Sequence, residues 1–139
     1  MPRAMPAADA AAIGQLVRLR SAREARLARR LNELEERLER IEREKTSAER
    51  LLHDISRRED EASPIRKMSP GKLVTGRALL LASQKLELIG RERSLAQARV
   101  EELDAERGGL SRMLKECRTE LALARRKAAR MDALASLDS

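Results

Sequence analysis

Counted from Ile13 in alternating steps of four and three residues, the chain reads Ile13, Val17, Arg20, Glu24, Leu27, Leu31, Leu34, Leu38, Ile41, Lys45, Ala48, Leu52 and Ile55. Ten of these thirteen positions are apolar, and a 3.5-residue repeat kept up over so many turns holds one narrow face of a helix against a partner helix. The spacing predicts a first helix over about 8–61. A second seam follows: Thr75, Leu79, Ala82, Leu86, Ile89, Arg93, Ala96, Val100, Leu103, Arg107, Leu110, Leu114, Cys117, Leu121, Ala124, Ala128, Met131 and Ala135, fifteen of eighteen apolar. It predicts a second helix over about 72–136.

Between the seams, about 62–71, lies Ala62-Ser63-Pro64-Ile65-Arg66-Lys67-Met68-Ser69-Pro70-Gly71. Its two prolines and glycine break the helix, and Ser69 followed by Pro70 reads as an N-cap and first-turn pair. A connection this short between seams of similar length predicts that the chain folds back on itself, so that each stripe is buried by the other. The expected fold is all-α: a long antiparallel two-helix coiled-coil hairpin, one domain over residues 1–139, roughly 80 to 95 Å long. A turn near Lys67 would bring Glu24 close to Arg107 or one turn away from it, a pair that would fix register at some cost in stability. Gly90, Gly108 and Gly109 interrupt the second helix, each costing about 1 kcal/mol against alanine, and either mark places where it would flex or fray or are simply tolerated by the seam.

Composition agrees with this pattern. The chain has 38% charged residues and no aromatic residue at all. Its dominant Ala, Leu, Glu and Arg are the mixture of long helices rather than of a globular core. One cysteine allows no internal disulfide and no cysteine cluster for a metal, which fits a reducing, intracellular setting. No apolar run approaches the length of a membrane span. Residues 1–30 are rich in Ala and Arg, as some targeting peptides are, but the helical pattern starts inside them at Ile13 and so assigns them to the domain.

Candidate chemistry is sparse. His53 lies outside the seam with no second ligand nearby, and Cys117 occupies a seam position, where cysteine behaves as a small buried hydrophobe. Ser69-Pro70-Gly71-Lys72-Leu73 lacks the first glycine, the hydroxyl residue after lysine and the preceding strand of a phosphate loop. The carboxylates stand at helical spacings from cations, such as Glu39 with Arg43, as on an exposed helix face. The expectation is a non-enzymatic chain with no catalytic site, cofactor, metal or small-molecule substrate.

Charge is unevenly spread. Residues 1–30 carry seven Arg against two acids, residues 115–139 six Lys or Arg against four, and the stretch between has seventeen of each sign. The net charge of +7 therefore lies where the termini of a hairpin meet, as a docking surface for acidic protein or phosphate. Nucleic acid is the weaker of these, without aromatic residues for stacking or a recognition motif. Near the loop, Leu73, Leu80, Leu81 and Leu88 recur at helical spacing outside the seam, with Ile65 and Met68 beside them. Two helices cannot bury both stripes, so this one suits a partner protein or, alternatively, self-association into a four-helix bundle.

In architecture and composition, over Ile13 to Ala135, the chain resembles the central-stalk family of type III secretion systems (FliJ/YscO/HrpO-like). The resemblance implies a cytoplasmic bacterial protein at the cytoplasmic face of the secretion apparatus, peripheral to the membrane through its partners only. Those partners would be the export ATPase hexamer, the export-gate protein and, as for some members, free export chaperones. The stalk couples ATPase to gate and hydrolyses nothing itself. On this sequence the ATPase-docking candidates are Arg18, Arg20, Arg23, Arg26, Arg125, Arg126, Lys127 and Arg130; the other partner-binding candidates are Ile65, Met68, Leu73, Leu80, Leu81 and Leu88. The alternatives are a stand-alone coiled-coil scaffold or dimerisation module, and a basic coiled coil that binds nucleic acid.

Overall fold

A computed structural model describes residues 7–63 and 75–137. It contains two helices, α1 (Ala7–Ala62) and α2 (Gly76–Leu137), and among the described residues no strand. They pack against each other as an antiparallel helical hairpin. The expected bounds are about 8–61 and 72–136; the expected Ser69-Pro70 start lies outside the described residues, and at the described start Thr75 caps α2. Its Oγ1 accepts a hydrogen bond from Ala78 N at 3.2 Å and its carbonyl one from Leu79 N at 3.1 Å, which satisfies amides that have no partner inside the first turn.

All thirteen α1 seam positions are buried or half-buried. On α2 fourteen of the eighteen are, Thr75, Leu79, Arg107 and Ala135 being exposed. Packing divides the chain into a terminal unit (Met1–Leu38 with Gly109–Ser139) and a central unit (Glu39–Gly108). In the terminal unit Leu27 and Leu34 are buried with Leu110, Leu114, Cys117 and Leu121. The Cys117 thiol donates to the Leu27 carbonyl at 3.5 Å. In the central unit Ile55, Ala62, Ile89 and Ala96 form a cluster that Leu52 and Leu86 pack against, and Leu103 is wholly buried.

The apolar seam dominates the energetics. Burial is worth about 1.5–3 kcal/mol for each fully covered aliphatic side chain, whereas an exposed ion pair contributes about 0–1 kcal/mol. Register, however, is written in the polar contacts. Across the central unit Glu42 pairs with Arg107 at 3.5 Å, Lys45 with Asp104 at 2.6 Å, and Arg58 with Glu92 at 2.6 Å, partner numbers falling as α1 numbers rise. Arg107 is therefore not the partner of Glu24. The Glu42–Arg107 and Lys45–Asp104 pairs have their midpoint between residues 74 and 75 rather than at Lys67.

Gly90, Gly108 and Gly109 all lie within α2. A side chain built at Gly90 would meet nothing within 4 Å, so no close approach requires this glycine. The Glu39–Arg43 spacing closes no ion pair; within single helices the pairs are instead Lys45–Glu49, Asp54–Arg57, Glu87–Arg91 and Arg99–Glu102.

Candidate protein-docking surfaces

The first surface is the basic face of the terminal unit. Arg18, Arg23 and Arg26 on α1 and Arg125, Arg126, Lys127 and Arg130 on α2 are exposed, while Arg20, on the seam, is half-buried. Arg20 extends across the interface and its Nη1 donates to the Lys127 carbonyl at 3.2 Å. A cation in an apolar seam is thus satisfied by main chain, with its aliphatic stem along the core. Among the described residues none of these eight cations is in an ion pair. By comparison, Lys45, Arg58, Arg93, Arg99 and Arg107 of the central unit each meet a carboxylate on the other helix, as does Arg118 of the terminal unit with Glu35. The local sequence explains the difference. Residues 7–30 contain only Asp9 and Glu24 as acids, and residues 121–137 only Asp132. An unpaired surface cation keeps its field and its hydrogen-bond donors for a partner.

Three of the eight, Arg20, Arg23 and Lys127, line one groove of about 170 Å³ together with Glu120, Leu123 and Ala124. The other five are not part of that groove. Leucines the sequence reading passed over accompany the cations: Leu16, Leu19, Leu123, Leu134 and Leu137 are all exposed. Their signal was available, since each falls outside the seam. The surface is therefore basic and apolar at once, which suits a protein partner that presents acidic and aliphatic side chains together.

The second surface is the outer face of α2 in the central unit. Leu80, Leu81 and Leu88 are 60%, 58% and 59% exposed, as expected from their positions off the seam. Leu95, at 74%, continues the row and was not among the candidates. Leu79, though on the seam, is 43% exposed and adds apolar surface at the same end of α2. Ile65, Met68 and Leu73 lie outside the described residues.

The remaining candidates sort simply. His53 is exposed and Cys117 buried. Among the described residues no group of three or more His, Cys, Asp or Glu side chains is placed to hold a metal ion, and no helix is long and apolar enough to cross a membrane. A wider hollow beside Glu39, Glu42, Arg43, Thr46, Ser47 and Arg50 is lined by α1 alone. Glu42, one of its walls, is engaged by Arg107. Compared with protein-family models, with curated proteins and with solved structures, the chain matches none.

Proposed function

We propose that this hairpin is a non-enzymatic docking protein, and that its basic terminal face binds an acidic protein surface. The observation that carries this reading is that, among the described residues, the eight cations of the terminal face are in no ion pair, whereas five cations of the central unit, Lys45, Arg58, Arg93, Arg99 and Arg107, are held by carboxylates across the hairpin. The resemblance in architecture and composition gives the reading its concrete form, a stalk protein of a type III secretion apparatus. On that form the terminal face docks on the export ATPase hexamer, the hairpin relays the state of the ring to the export gate, and free export chaperones are further partners. It places the chain in the bacterial cytoplasm beside the apparatus.

The test is a titration of the full chain against a purified type III export ATPase, following ATP turnover and hexamer formation. Alongside runs a variant with Arg18, Arg23, Arg125 and Arg126 changed to Glu. Arg20 is left in place because it bonds to the Lys127 carbonyl across the hairpin. The expected result is stimulation by the native chain that falls at least tenfold in the variant, with helical content unchanged. Indifference of the ATPase to the native chain overturns the stalk form; stimulation equal in both overturns the assignment of the docking face.

A further inference from the structure

On the terminal unit the seam also sorts the exposed residues by side. Leu16, Leu19, Arg23, Arg26 and Arg30 follow one another on α1 at alternating steps of three and four, and so do Glu120, Leu123, Lys127, Arg130, Leu134 and Leu137 on α2. Steps that keep pace with the seam hold each set to one side of its helix. The two sets flank the same side of the hairpin, since Arg23 of the first and Glu120, Leu123 and Lys127 of the second line the groove of about 170 Å³. All eleven residues are exposed. They include every exposed leucine among the described residues of the terminal unit, and five cations against one acid. The other side carries charge too, in Arg18, Arg125 and Asp132, but among small residues such as Ala25 and Ala129, and no leucine is exposed there.

Charge and spacing together narrow what fits. The five cations, in no ion pair among the described residues, call for carboxylates or phosphates, and the five leucines for aliphatic cover. Leucine and cation share the same rows: Leu16, Arg23 and Arg30 stand seven apart on α1, and Leu123, Arg130 and Leu137 on α2. A nucleic-acid backbone would leave the leucines wet. An anionic lipid surface is met best by helices whose apolar and basic residues form separate faces, which these rows do not. A third helix laid in the groove between α1 and α2 meets both rows at once. Its own seven-residue repeat of aliphatic and acidic residues stays in step with them over roughly 21 Å.

We propose that the occupant of this side is an acidic amphipathic helix of a partner protein, its aliphatic residues covering Leu16, Leu123 and Leu134 and its carboxylates meeting Arg23, Arg26, Lys127 and Arg130. The proposal rests on the reading of the terminal face as a docking surface for acidic protein, and narrows it to one side and one kind of segment; it does not require that the partner be an ATPase. The probe is a fluorescent peptide of about 21 residues in which leucine and glutamate recur every seven residues on one helical face, beside a scrambled peptide of the same composition. By fluorescence anisotropy the full chain binds the patterned peptide at least tenfold more tightly than the scrambled one. Leu16→Ser with Leu134→Ser, at two exposed positions, removes that preference. Arg23→Ala with Lys127→Ala weakens binding at least tenfold. Ala25→Glu with Ala129→Glu, which changes the net charge equally but on the other side, weakens it less than twofold. Equal affinity for the two peptides overturns the helix and leaves the acidic-protein reading standing, and equal loss in the two charge variants overturns the assigned side. Binding of neither peptide overturns the proposal, the ATPase titration remaining the separate test of the reading beneath it. A chain that binds neither but floats with phosphatidylglycerol vesicles, and not with phosphatidylcholine vesicles, overturns it in favour of a lipid surface.

Discussion

Lys45 interrupts the seam of α1, and what holds it there is specific. Its ammonium reaches Asp104 at 2.6 Å and Glu49 at 3.7 Å, and the hydrogen bond to Asp104, reinforced by both carboxylates' charge, raises its pKa above the ordinary 10.5. A group whose pKa is raised on folding contributes stability that is whole below the unfolded value and vanishes as pH climbs through the folded one. The contribution of Lys45 is therefore constant from neutral pH to about 10 and fades only in stronger alkali. Denaturant midpoints of the native chain and Lys45→Met, compared between pH 7 and 11.5, should differ by a constant amount until the alkaline end, where the gap closes. A gap that narrows already below pH 9 would contradict this account. Arg93 has a similar place on α2: its Nη2 donates to Ser56 Oγ at 3.2 Å and it also pairs with Glu59. Polar residues so placed in a seam are partnered in one register and unpartnered in the neighbouring ones.

At the scale of the element, α2 depends on its first turn. Thr75 supplies both a side-chain and a main-chain acceptor there, and Leu79 and Leu80, one turn on, are too exposed to anchor the helix by packing. Capping hydroxyls of this kind are worth about 1 kcal/mol. Thr75→Ala should cost about that much in the denaturant-derived stability. It should also speed amide hydrogen exchange at Ala78 and Leu79 while leaving Leu103, deep in the seam, protected. Equal exchange in both proteins would show that another group caps the helix.

For the whole molecule, net charge and seam act independently. Binding to an acidic partner through unpaired surface cations is screened at high ionic strength, whereas burial of Leu27, Leu103 and Leu121 is not. Raising NaCl from about 0.05 to about 0.5 M should weaken the complex with the acidic partner by tenfold or more and leave the unfolding midpoint nearly fixed. If affinity is flat over that range, the exposed leucines beside the cations, and not the cations, make the contact. Loss of folding in parallel with loss of binding would place the charges in the fold instead.

What the sequence determined by itself is the hairpin: both helices, the largely buried seams, the burial of Cys117 and the exposure of Leu80, Leu81 and Leu88. These follow from periodicity, because a 3.5-residue repeat fixes which side of a helix is dry whatever the partner's register. Register itself was not legible. Sliding one helix past the other by a heptad leaves apolar against apolar, and an assumed turn at Lys67 put Glu24 with Arg107 where the folded chain puts Glu42. The same blindness hid Thr75, whose place in the seam concealed its role as a cap, and hid the contrast between paired and unpaired cations. Composition counts arginines, but only the tertiary structure decides which of them has a carboxylate within reach, since that depends on side chains brought together from opposite ends of the sequence.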